Sequence, residues 1–181
     1  VASAFITNIA FPKSLEEVLL FVNEVGRYHV EEILTESNTE WTVPKDAVKG
    51  ETVFFMHSKT SIDTIRRLKR QLQSEGFDSR PDAYDTIADA LDHGEELYRR
   101  IGGCVFAKGV VSGDVIVDEN ARNSGLHWSS IYYAPISDIE VFDKPVSINQ
   151  FREFIFISRT GAITKLTDEQ TAKLLELARQ A

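Results

Sequence analysis

Most of the sequence features that mark an established chemistry are missing from this chain. It has one cysteine, Cys104, so no internal disulfide can form, which fits a reducing, cytoplasmic setting. No apolar run is long enough to cross a bilayer, and nothing resembles a signal peptide, so no membrane partner is expected. There is no GxxxxGK[ST] phosphate loop, no GxGxxG after a strand and no nucleophile elbow. The four histidines, His29, His57, His93 and His127, are far apart and share no zinc-helix spacing. No catalytic set, metal site or cofactor is therefore expected of the chain alone. The first residue is Val1, as expected of a trimmed chain or a piece of a longer protein.

What remains is an acidic globular sequence of 181 residues, 43% hydrophobic and 27% charged, with a net charge of -8. That length suits one domain, or one domain with a sizeable insertion. The net charge argues against indiscriminate binding to phosphates. Its placement is uneven, however. Residues 1–40 carry seven acids against Lys13 and Arg27, and residues 75–96 carry eight against Arg80 alone. Residues 59–70 reverse this, with five bases against Asp63 alone. A basic island in an acidic chain is either a contact for a polyanion or a solvated face paired with acidic neighbours.

Local signals place the elements. Strands are expected at Ala4–Ile9, Thr52–Met56, Cys104–Val111, Val115–Val117, Ser130–Ala134, Ile139–Phe142 and Phe154–Ser158, which are rich in branched and aromatic residues. Ser14 with Glu17, Ser147 with Gln150 and Thr167 with Gln170 have the spacing of capping boxes and open three helices. Ile62, Ile65, Leu68 and Leu72 form one face of a helix over 60–74, with Arg66, Arg67 and Arg70 on the other side. A second apolar stripe runs from Tyr84 to Ile101, with Gly94 as a candidate kink. Residues 42–50, with Pro44 and Gly50, read as a loop, and 27–36 fit strand or helix equally. The class is α+β: a small curved barrel of about five or six strands with peripheral helices, rather than a doubly wound sheet.

Five segments, at 48–59, 102–116, 126–136, 144–151 and 157–177, form an ordered set, and that set resembles the EVE domain of the PUA-like group, whose relatives include YTH domains. "VKGETVFFMHSK" (48–59) resembles the element in which a turn glycine and an acid precede an aromatic strand ending in His-Ser. "GGCVFAKGVVSGDVI" (102–116), "LHWSSIYYAPI" (126–136), "KPVSINQF" (144–151) and "ISRTGAITKLTDEQTAKLLEL" (157–177) follow in the family's order. Glu51 stands where the family usually has Asp, Met56 where it has Tyr before His-Ser, and Thr160-Gly161 where it has Leu-Ser. The helical stretch at about 60–101 is longer than the family leads one to expect and reads as an insertion in a single domain spanning 1–181.

The resemblance implies a PUA-like barrel that binds a modified base, flipped or unpaired, in an aromatic-walled pocket. Modified cytosine in DNA is the leading expectation and modified RNA the alternative. A nuclease domain or subunit of a modification-dependent restriction system is an implied partner. The expected base-binding residues are Trp41, His57, Ser58, Trp128, Tyr132 and Arg159, with Lys59, Arg66, Arg67 and Arg70 on phosphates. Trp41, His57, Ser58 and Trp128 are expected to converge at the barrel mouth. Tyr132 and Tyr133 alternate, so at most one faces the pocket. Phe54, Phe55 and Phe106 are expected in the core.

Each site residue also has a plainer reading. His57 and Ser58 can satisfy the next helix or loop backbone, and the tryptophans can be core or half-core residues. The acidic helix is expected to lie away from the nucleic acid or to shield the site. A small-molecule binder or enzyme on the same barrel, and an interaction domain using the acidic helices, stay open as other functions.

Overall fold

The structure is a computed structural model and describes residues 4–9, 11–25, 40–76, 83–117, 131–157 and 163–179. Along the chain come β1 (Ala4–Ile9), α1 (Leu15–Val25), β2 (Glu40–Thr42), β3 (Thr52–His57), α2 (Ser61–Glu75) and α3 (Tyr84–Ile101). Then follow β4 (Cys104–Val111), β5 (Ile116–Val117), β6 (Tyr132–Ser147), α4 (Ile148–Phe151), β7 (Ile163–Leu166) and α5 (Asp168–Arg179). The strands form one mixed sheet in the order β2-β6-β4-β3-β1-β7, with β5 also paired to β6. β1 and β3 run parallel, and the other pairs are antiparallel. This is the expected α+β class.

Period-two alternation sorts the strand residues into two cores, one on each face of the sheet. Phe5, Val53, Phe55 and Phe106 point to one face, where Leu15 and Val18 of α1, Ile65, Leu68 and Leu72 of α2, and Ile87 and Leu91 of α3 cover them. Ala4, Ile6, Phe54, Met56 and Val105 point to the other, against Phe151, Ile155 and Leu174. Both faces are dry, which is why β1 and β3 are nearly continuous apolar runs.

Three local expectations are corrected. The two strands expected at 130–134 and 139–142 belong to one strand, β6, whose 16 residues run through Pro135 and Ser137-Asp138. Asp138 has φ 53, and two residues of β6 there, Asp138 and Ile139, lie against the single Gly109 of β4, with Lys108 facing Glu140 and Val110 facing Ser137. Residues that looked like a turn form a bulge that bends the strand. The strand expected from Phe154 is absent over 154–157. The amides of Phe154 and Ile155 turn back to the Phe151 carbonyl, and the Phe154 carbonyl accepts from Gln170 Nε2 of α5, so these groups do not join a ladder. Gly94 does not kink α3, which is continuous. A Cβ there would lie 2.5 Å from Cε2 of Phe11, so the glycine makes room for a buried ring.

The capping residues act as expected. Ser147 and Gln150 form a full box, as do Thr167 and Gln170. Glu17 donates its amide to Ser14 Oγ, while its carboxylate accepts from the Lys13 amide, one residue further back than expected.

Candidate nucleic-acid interface

The polar trio that ends β3 divides into three environments. His57 is 0% exposed. It follows Val53 and Phe55 at two-residue spacing, so it shares their core face, a signal already present in the alternation. Its ring stacks on Phe106 at 4.3 Å between centroids and meets the edge of Tyr98 at 4.6 Å. Neither ring nitrogen has a hydrogen-bond partner among the described residues. Burial, and secondarily the positive charge of Arg100, push the imidazole pKa down from 6.5 to about 3. The expected contact between His57 and a base edge therefore has no exposed atom to make it, and the residue is a neutral core ring.

Ser58 is half-buried; its amide donates to the Ile9 carbonyl and its hydroxyl shares a hydrogen bond of 3.1 Å with Thr60. It joins the ends of the parallel strands β1 and β3. Lys59 is exposed at the turn into α2.

Along α2, Arg66, Arg67 and Arg70 are all exposed, opposite the buried Ile65, Leu68 and Leu72. Arg67 Nη2 donates to the Lys13 carbonyl at 2.9 Å, tying the helix to the loop after β1. Lys59, Arg66 and Arg70 make no ion pair with the described residues. The paired base of this segment is Lys69, which bridges Asp92 at 2.7 Å and Glu95 at 3.0 Å on α3. Burial opposes its charge, but the hydrogen bonds to these carboxylates outweigh it and raise the ammonium pKa. The acidic helix thus packs directly beside the basic one. Lys69 takes up part of that acidity and the outer arginines stay open.

Two of the aromatics expected at the site, Trp41 and Tyr132, lie elsewhere on the sheet. Trp41 on β2 lies opposite Ala134 on β6, and Tyr132 is two residues from Ala134. Directly paired residues share a face, so Trp41, Ala134 and Tyr132 point the same way and Tyr133, opposite Thr42, points the other. Both Trp41 and Tyr132 are half-buried. Trp41 and Phe55 pack with ring planes at 84° and centroids 5.8 Å apart, and Trp41 lies against the core that holds Ile65 and Leu68 of α2. The rings of Trp41, Phe55, Phe106 and His57 thus run in contact along this face. Trp41 and His57 stand at opposite ends of that run, so the structure does not bring them together as two sides of one exposed pocket. Trp128 and Arg159 lie outside the described residues, as does the ambiguous stretch 27–36. Phe54, Phe55 and Phe106 are core, at 0%, 0% and 1% exposure.

Glu51, the acid of the resemblance motif, is buried, and its Oε1 accepts from the Val48 amide at 2.6 Å across the turn that Gly50 makes at φ 100. A shallow pocket of about 160 Å³ lies between Glu51, Asp46, Lys165, Ala4 and Leu166 and includes none of the expected site residues. Among the described residues no three His, Cys, Asp or Glu side chains converge as metal ligands. Burial raises the Cys104 thiol pKa. Among the described residues, no helix is long and apolar enough to cross a membrane.

No protein-family model matches the chain, and no curated protein matches it. Among solved structures, it is similar to protein Atu2648 from Agrobacterium tumefaciens, at 14% identity over 99% of this chain and 92% of that one, with a TM-score of 0.48. It is also similar to Rpa0253 from Rhodopseudomonas palustris, at 7% identity over 99% and 94% of the two chains, TM-score 0.48. A third is ASCH from Zymomonas mobilis, at 8% identity over 96% and 94%, TM-score 0.45.

Proposed function

We propose that the chain is a nucleic-acid-binding module that holds an unpaired, modified base against Trp41 and Tyr132 and takes the neighbouring backbone along the cationic side of α2. One observation carries this reading: the two half-buried aromatics and the helix that follows Lys59 and bears Arg66 and Arg70 lie on the same face of the sheet. Diagonal neighbours on paired strands stand about 7–8 Å apart, close enough for two large rings to grip a flat one. Stacking supplies affinity without regard to sequence, and cations on phosphates fix position. The sequence resemblance to EVE domains supports the narrower reading, a modified cytosine in DNA taken out of the stack. Cleavage then belongs to a separate nuclease of a restriction system, and the chain alone does not cut.

Trp41→Ala is the test of the aromatic site. It should weaken binding of a single-stranded oligonucleotide carrying a modified base by about 1–3 kcal/mol. The thermal transition should fall only modestly, because Trp41 is half-buried at the border of the core and not within it. A variant that loses stability but binds as well as the parent would make Trp41 a core residue and nothing more.

A further inference from the structure

β5 has only two residues, and both are unusually open for branched aliphatics: Ile116 is 48% and Val117 56% exposed. Register separates them. Ile116 lies opposite Tyr133, on the face turned away from Trp41, whereas Val117 lies opposite Tyr132. Val117, Tyr132, Ala134 and Trp41 therefore occupy one face of three adjacent strands, β5, β6 and β2. Ala134 is 0% exposed and has the smallest side chain of the four, so it forms a floor between larger neighbours. Stacking on Trp41 and Tyr132 uses the π-face that every base has, and so cannot register a substituent on the ring edge. That task falls to a group beside the stack. Cross-strand partners stand about 4.5–5.5 Å apart, which places Val117 at the border of the Tyr132 ring.

We infer that Val117 is the specificity-determining wall of this site and that the substituent it accepts is apolar, a methyl group on the base. This rests on the nucleic-acid reading above. Valine offers two methyl groups and no side-chain hydrogen-bonding atom. It gains contact from a methyl but leaves a hydroxymethyl hydroxyl without a partner on that side.

The test compares oligonucleotides matched except for one cytosine, 5-methylcytosine or 5-hydroxymethylcytosine, on the parent and on Val117→Thr. Threonine keeps the branched shape and exchanges one methyl for a hydroxyl. The parent should prefer the methylated strand by about fourfold, the worth of one buried methyl-sized group, and Val117→Thr should lose most of that preference, read on each protein as the ratio of its affinities for the methylated and plain strands. Val117→Thr with an undiminished methyl preference would remove Val117 from the assignment and leave the module reading intact, provided Trp41→Ala weakens all three strands. A parent that binds but does not prefer the methyl also overturns the inference. A parent that binds none of the three overturns the nucleic-acid reading itself, and this inference with it.

Discussion

Between pH 6.5 and 3 the fold should lose stability steadily, and replacing His57 with leucine should remove most of that dependence. The folded imidazole takes a proton only near pH 3, whereas the unfolded one does so at 6.5. Throughout that window the unfolded chain binds more protons, so stability is full above the unfolded pKa and falls with pH down to the folded one. The slope is about 1.4 kcal/mol per pH unit, on the order of 5 kcal/mol across the window and roughly 2 kcal/mol between pH 6.5 and 5, where few carboxylates titrate. That is a sizeable part of the total stability of a single domain. His57→Leu also removes two buried nitrogens that have no partner among the described residues. Urea midpoints of both proteins at pH 7, 6, 5 and 4 measure the effect. Parallel curves would mean that the imidazole is reached by solvent and is not the core ring described above.

The second large effect is electrostatic. Replacing Lys59, Arg66 and Arg70 together should weaken binding to modified and unmodified strands alike, because phosphate contacts carry no sequence information. The plot of log affinity against log salt should flatten by about 0.7 per lost contact on a single strand, so that the parent loses on the order of twentyfold more affinity than the variant between 50 and 200 mM salt. Arg67 is left out because its contact with the Lys13 carbonyl helps hold α2 to the loop after β1. Equal salt slopes with the fold intact would reduce this row to a solvated helix face, and the case would then rest on the aromatics alone.

What could be read from the sequence follows the range of each signal. α2 declares itself within a few residues, through the Ile65, Leu68 and Leu72 spacing, and the boxes at Ser147 and Thr167 need only a residue three positions on. The class followed from those elements. Pro135 and Asp138 are turn residues by local preference, and only pairing with β2 on one stretch and β4 on the next makes them part of one bent strand. The segment after Phe154 has strand composition, but its hydrogen bonds go to the preceding turn and to α5, a tertiary outcome with no local mark.

The site divides in the same way. Exposure of Arg66 and Arg70 was legible from the helical face they occupy. That Trp41 and Tyr132 share one face of adjacent strands was not, because it depends on a register between strands about ninety residues apart. Burial of His57 was legible in principle from its spacing behind Val53 and Phe55, and its polarity concealed it. Val117 gave no sign, since its place beside Tyr132 exists only once β5 has paired with β6.

The most direct test of the account is equilibrium binding of the unaltered chain to matched oligonucleotides, each made as DNA and as RNA. They would carry cytosine, 5-methylcytosine, 5-hydroxymethylcytosine, adenine or N6-methyladenine at one unpaired position. The account predicts measurable binding that weakens with salt and is tightest for a modified base, with methylated cytosine in DNA ahead of its plain counterpart. Absence of binding to every strand at low salt, with the protein folded, would contradict it.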